Sequence, residues 1–376
     1  MGMHRIVIAL CGAAVLAVSA PASAPAQVGS LVTQAGPVRV ENLVGGLVHP
    51  WGMAFLPDGR LLVTERPGRL RILGTDGTLS DPLAGTPEVF TQGQGGLLDV
   101  ALDPDFGENR RVYLSFAEPG DGGASTAVGR GRLADGSIEG FEVIFRQQPK
   151  VSGPNHFGGR IVFSAEGNLF LTLGERFKFG PAQDLSNHLG SVVRINQDGS
   201  IPSGNPFVND PNAEDAIWSY GHRNIEAAAI NPRTGALWIA EMGPLGGDEL
   251  NLPEPGRNYG WPVVSWGRHY SGEDIPDPPT RPEFADAIHR WTPVISPSGM
   301  IFYTGEMFPA WRGSALIGSL TRQALVRLET EGSRVTAEEV LPLPARIRDV
   351  EQGPDGAVYL LTDQQDGNVW RLSPLR

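Results

Sequence analysis

The chain has 376 residues, including 49 glycines and 32 prolines, and only 19% of it is charged. Glycine and proline together well exceed the roughly 12% of an average protein, so turns are dense, and no sustained heptad supports a coiled coil or helical bundle. The formal charge of −12, from 42 acidic and 30 basic residues, argues against a general nucleic-acid binder, because phosphate backbones attract basic surfaces.

The N-terminus reads as a targeting segment. Arg5 supplies a positive start, the run from Ile6 to Val18 is apolar, and Ala22-Ser23-Ala24-Pro25-Ala26 offers small residues for cleavage after Ala26. The apolar run falls well short of the about 20 residues needed to span a bilayer. Residues 1–26 are therefore expected to be a signal peptide, and 27–376 one domain of a periplasmic or secreted protein with no membrane insertion after cleavage. Cys11, the only cysteine, lies inside that leader. A mature chain without cysteine has no disulfide, no thiolate nucleophile and no Cys-ligated metal.

An apolar strand, a turn built on Pro, Asp or Gly, and a second apolar strand then recur along the chain. The copies run Met53 to Thr64, Val100 to Ser115, Arg160 to Thr172, Ala228 to Ala240, Met300 to Ile317 (degenerate) and Val350 to Leu361. That is roughly 58 residues per unit, longer than the approximately 40 to 50 of common propeller blades, so the surplus falls in loops. A hairpin alone cannot bury its faces, but radial packing of several buries both and leaves only short edges. The expected fold is all-β, a six-bladed β-propeller. Val38-Arg-Val-Glu and Val369-Trp-Arg-Leu372 are placed to share a blade and close the ring, and a proline-rich insertion near 265–290 to rise above it.

Four turn-borne segments carry residues suited to chemistry. In Ser152-Gly-Pro-Asn155-His156-Phe157-Gly-Gly159, His156 is either a general base, with an ordinary pKa of about 6.5, or a histidine that braces a loop. In Gly221-His222-Arg223-Asn224, Arg223 either grips a carboxylate or carbonyl with its fork of donors or forms an inter-blade salt bridge. The glycine-rich, acidic stretch Glu241-Met-Gly243-Pro244-Leu-Gly-Gly-Asp248-Glu249 suits Ca²⁺ through hard oxygen ligands, or is an acidic surface turn. Arg346 and Arg348, two apart, point one way and either converge on an anion or pair with nearby acids.

Together these segments resemble the soluble quinoprotein sugar dehydrogenases. The likeness extends from about His49 to Leu372 and includes Pro50-Trp51-Gly-Met-Ala-Phe55, Gly93-Gln94-Gly-Gly-Leu-Leu98, Asn155-His156, Gly221-His-Arg223-Asn224, Gly243-Pro244, Asn258-Tyr-Gly-Trp-Pro262 and Arg346-Ile-Arg348-Asp349. The resemblance implies oxidation of an aldose sugar by pyrroloquinoline quinone (PQQ), with electrons passed to an external acceptor. It implies His156 as the base and Arg223 as stabiliser of charge on the reduced quinone. It also makes Gln94, Asn224, Tyr270, Arg346 and Arg348 cofactor contacts, with the Gly243 and Pro244 carbonyls holding a Ca²⁺ beside the quinone. Glu249 and Tyr259 look like ligands of a second, structural calcium.

Two departures stand out. Thr321, followed by Arg322, occupies a place where the family commonly has lysine, and the only lysines here, Lys150 and Lys178, lie elsewhere. Phe157 follows the base where glucose-specific relatives carry a polar residue, pointing to broader aldose use. A calcium-dependent propeller lactonase and a non-catalytic glycan- or partner-binding propeller are the competing readings.

Overall fold

The computed structural model describes residues 26–375, so the expected leader lies outside the described residues apart from Ala26. Six antiparallel sheets make up the structure. Their innermost strands are Pro50–Phe55, Leu97–Leu102, Gly158–Phe163, Ile225–Ile230, Pro297–Phe302 and Ile347–Gln352, and they define blades 1 to 6. These strands pack on one another in a closed cycle, blade 6 against blade 1. The fold is the six-bladed propeller expected, and each sequence repeat is the inner hairpin of one blade.

The terminal strands close the ring as their placement suggested. Gly36–Leu47 pairs antiparallel with Gly367–Pro374, with Val40 opposite Leu372 and Glu41 opposite Arg371. Ala26–Thr33 adds an outer fifth strand to that blade. The surplus length also lies in loops, and the 265–290 excursion leaves blade 4 between Asp248–Asn251 and His289–Trp291.

Hydrophobic packing is distributed around the ring in six seams, one between each pair of neighbouring blades. Leu62 and Leu70 of blade 1, for example, meet Val100 and Leu114 of blade 2, and Leu361 and Val369 of blade 6 meet Met53 and Leu61 of blade 1. Full burial of each such side chain contributes about 1.5–3 kcal/mol. These seams give the ring its cohesion without disulfides.

One device repeats at the inner strands and explains where the site lies. Every inner strand carries a register shift near its start, and a bulge re-aims the side chains it carries. In blades 1 to 3 a hydroxyl on the second strand fills the bulge. Thr64, Ser115 and Thr172 accept the Gly52, Asp99 and Arg160 backbone N–H at 2.9, 2.9 and 3.0 Å. The same hydroxyls donate to carbonyls of the following blade, at Leu98, Gly159 and Ile225. The bulged ends are thereby locked to one another at one mouth of the channel.

Candidate functional site

Three of the four segments singled out in the sequence lead into an inner strand at that mouth, and the fourth, residues 241–249, joins the second and third strands of blade 4 and reaches it through the Arg223 contacts to the Met242 and Gly243 carbonyls. Gln94 stands before blade 2, His156 before blade 3, Arg223 and Asn224 before blade 4, and Arg346 before blade 6. Arg348, on the blade 6 bulge, joins them.

His156 has a left-handed backbone, φ 55°, and its ring is buried. Its Nδ1 donates to Glu175 Oε1 at 2.6 Å, and its backbone N–H donates to Gln94 Oε1 at 2.6 Å. A carboxylate on Nδ1 fixes the tautomer with the proton there and leaves the Nε2 lone pair free. Among the described residues Nε2 has no hydrogen-bond partner. Burial pushes the imidazole below its ordinary pKa of 6.5, although Glu175 pulls the other way, so the ring is neutral and basic at neutral pH. Glu175 is also buried, and its Oε2 accepts the Lys178 and Phe179 backbone N–H groups.

Arginines surround this base. Arg223 Nη1 donates to the Met242 and Gly243 carbonyls at 2.9 and 2.8 Å, and Nη2 to the Tyr270 hydroxyl at 3.0 Å. Arg348 donates to Glu226 at 2.5 Å and shares Asp363 with Arg346, at 3.3 and 2.9 Å. The two guanidiniums therefore do converge, and the carboxylate between them is Asp363, held down to about pH 2 against its own burial by both arginines. Arg66 donates to the Gly93 carbonyl at 2.6 Å beside Gln94 and feels the charges of Arg348 and Arg346. Arg66, Arg223 and Arg348 each keep a buried Nε without a partner. Four cations against three carboxylates, Glu175, Glu226 and Asp363, with three unsatisfied donors, are the chemistry of a site for an anionic ligand.

Cation chemistry sits next to it. A side chain at Gly243 would run into the Gly246 and Gly247 carbonyls, each 2.3 Å from the position of a Cβ, so only glycine permits this gathering of backbone oxygens. The Pro244 carbonyl accepts no hydrogen bond among the described residues. Deeper in, Glu241, Glu249 and Tyr259 line one small chamber. Asn251 Nδ2 bridges Glu241 and Glu249 at 3.0 and 3.1 Å, while Asn251 Oδ1 is buried without a partner. Burial and the neighbouring Glu241 raise the Glu249 carboxyl well above its usual range. Such an oxygen set fits a hard cation such as Ca²⁺.

Residues 47–371 match the family model described as Glucose / Sorbosone dehydrogenase. The chain belongs to this family. It is similar to the aldose sugar dehydrogenase YliI of Escherichia coli, at 45% identity over 90% of this chain and 93% of that one. It is also similar to the quinoprotein glucose dehydrogenase B of Acinetobacter calcoaceticus, at 27% identity over 87% and 85%. Among solved structures it resembles the PQQ-bound form of an aldose sugar dehydrogenase from Streptomyces coelicolor, with a TM-score of 0.75 and 28% identity over 89% of this chain and 98% of that one.

As a member of the glucose/sorbosone dehydrogenase family, the chain departs from several sequence expectations. Phe157 does not face the site: it is fully buried beneath the Arg176 guanidinium, 3.6 Å from its ring, so it cannot broaden sugar use by contact. Asn224 reaches the floor of the site, but its amide is engaged at both ends, accepting from Gly158 N–H and donating to Glu226. The Tyr259 hydroxyl is committed to the Leu252 carbonyl and the Glu254 N–H, leaving only its backbone oxygen for a cation. Arg322 acts on Glu338 at the outer side of blade 5, and Thr321 bonds Ser296; neither supplies a cation to the mouth. Arg66 does. Glu175, Arg66, Glu226 and Asp363 are the functional side chains that the sequence reading missed.

Proposed function

We propose that this protein is an exported aldose sugar dehydrogenase that oxidises the anomeric carbon to a lactone, uses PQQ with Ca²⁺, and passes electrons to an external acceptor. The observation that carries this reading is the His156–Glu175 pair, its Nε2 open, set among arginines with unsatisfied donors. Export rests on the leader-like residues 1–26.

When bound, PQQ supplies the two-electron acceptor for the hydride. Gln94, through its free amide, and Arg223, Arg346, Arg348 and Arg66 would hold its carboxylates and oxygens, and the Gly243 and Pro244 carbonyls would hold the polarising cation. His156 Nε2 takes the proton from the anomeric hydroxyl. Glu175 keeps the ring oriented and stabilises the imidazolium that forms, as a buried carboxylate does for a general base. Arg223 provides fixed positive charge where oxygen becomes anionic, which costs no reorganisation during the reaction.

The test is reconstitution. Apo protein given PQQ and Ca²⁺ should bind the quinone stoichiometrically and reduce a dye acceptor with glucose or another aldose. No turnover across a panel of aldoses would sink the reading, and lactone cleavage without quinone would favour a hydrolase instead.

A further inference from the structure

Phe177 packs against the His156 ring and has no role in the chemistry above. Its ring lies edge-on to the His156 imidazole at 5.0 Å and 78°, meets Phe179 at 5.1 Å and faces Tyr270 at 6.2 Å and 30°. Phe177, Leu245 and Tyr270 are three of the six large hydrophobic side chains left exposed among the described residues, and all three belong to loops at this mouth. The segment bearing Phe177 is held in an unusual shape: Arg176, Phe177 and Phe179 all have positive φ, 60°, 59° and 63°. None is glycine, and such residues persist only where their surroundings over-determine them. Here Glu175 Oε2 ties down the Lys178 and Phe179 N–H groups, and buried Arg176 donates to the Gly153 and Asn155 carbonyls of the His156 turn. The carboxylate that orients the base therefore also presents Phe177 beside it.

We propose that Phe177 is the specificity-determining residue of the site, an aromatic wall on which the C–H face of a pyranose aldose packs while its anomeric hydroxyl meets His156. This rests on the dehydrogenase reading. Sugar rings offer apolar C–H faces, and an aromatic ring supplies a large apolar surface at little conformational cost. The wall orders the sugar before the proton leaves, so its removal acts on binding more than on the chemical step.

The experiment compares Phe177→Ala, Phe177→Leu and Phe177→Trp in protein loaded with PQQ and Ca²⁺, across monosaccharide and disaccharide aldoses. Phe177→Ala and Phe177→Leu should raise KM for monosaccharides about tenfold with kcat held within about twofold, and should alter the monosaccharide-to-disaccharide ratio of kcat/KM; Phe177→Trp should keep a low KM. Unchanged KM in both Ala and Leu variants would overturn the proposal. So would a Leu variant matching the parent, since bulk alone would then suffice. If Phe177→Ala does not fold, the Leu and Trp pair decides the matter. Absence of turnover in the unaltered protein would instead defeat the dehydrogenase reading.

Discussion

Blades 3 and 4 carry the same pair of residues in the same place, with opposite outcomes. In each, a histidine just before the inner strand donates Nδ1 to a glutamate 19 residues later at the end of the second strand, His156 to Glu175 at 2.6 Å and His222 to Glu241 at 2.8 Å. The far nitrogen differs. His222 Nε2 is taken by Ser219 Oγ at 2.9 Å, and its ring is fully buried and stacked on Tyr259 at 4.7 Å. His156 Nε2 has no hydrogen-bond partner among the described residues. A carboxylate–imidazole pair is thus a structural element of this ring, and only where the second nitrogen is left open is it available as a base.

The sharpest way to break this contrast is to remove each histidine. His156→Ala should cut kcat by about 10²–10⁴-fold, the usual worth of a general base, beside a stability loss of about 1–3 kcal/mol from the buried Glu175 carboxylate that it strands. His222→Ala should cost a similar amount of stability, about 1–3 kcal/mol, by stranding buried Glu241 and Ser219, while sparing most of the activity. Paired kinetics and denaturation measure both. Equal losses of kcat would erase the distinction.

The arginine pair offers a somewhat smaller effect. Arg348→Ala should weaken PQQ binding about 10–100-fold, because a buried charge-assisted contact is worth about 1.5–3 kcal/mol. Arg346, exposed on the rim, should cost only a few-fold when replaced by alanine. A titration without sugar reads both constants.

The glutamates sharpen the comparison next. Glu175→Gln removes the group that raises the His156 pKa, so kcat should fall about tenfold and the acid limb of the pH–rate profile should move further down. In the parent protein that limb should lie below the 6.5 of a free imidazole, since burial lowers the pKa and the neutral ring is the proton-accepting form. The same shift sets a sign for stability. The unfolded chain takes up the proton first, so this histidine's contribution is complete above about 6.5 and declines as pH drops toward its folded pKa. Glu241→Gln should leave the acid limb in place. A limb that moves alike in both variants would contradict the assignment.

The smallest effect concerns the chamber between Glu241 and Glu249. A chelator should lower the thermal midpoint of the Ca²⁺-loaded protein, and Glu249→Gln should abolish that response. If neither changes, the oxygen set holds no cation.

Much of this was legible because a propeller is periodic. The repeats located the inner hairpins, and residues just ahead of an inner strand necessarily reach one mouth, which brought His156, Arg223 and Arg346 together. What the periodicity did not name were partners at the ends of other strands. Glu175 and Asp363 follow second strands, far in sequence from the side chains they hold, although the shared 19-residue spacing of His156–Glu175 and His222–Glu241 was a usable signal. Phe157 misled through adjacency: the residue after the base turns away from it, and Phe177, one short loop beyond the next strand, takes the exposed position. Arg66 was overlooked because it stands alone, whereas a pair of arginines two apart draws notice.

The pairing of Gly36–Leu47 with Gly367–Pro374 has a consequence for biogenesis. The last blade takes its outer strands from the first two described strands, Ala26–Thr33 and Gly36–Leu47, so their edge stays unmatched until the final strand is in place. Closing a loop of that length is entropically slow. The ring is a latch that only the last strand can close, and a chain lacking that strand would present the open edge to other molecules.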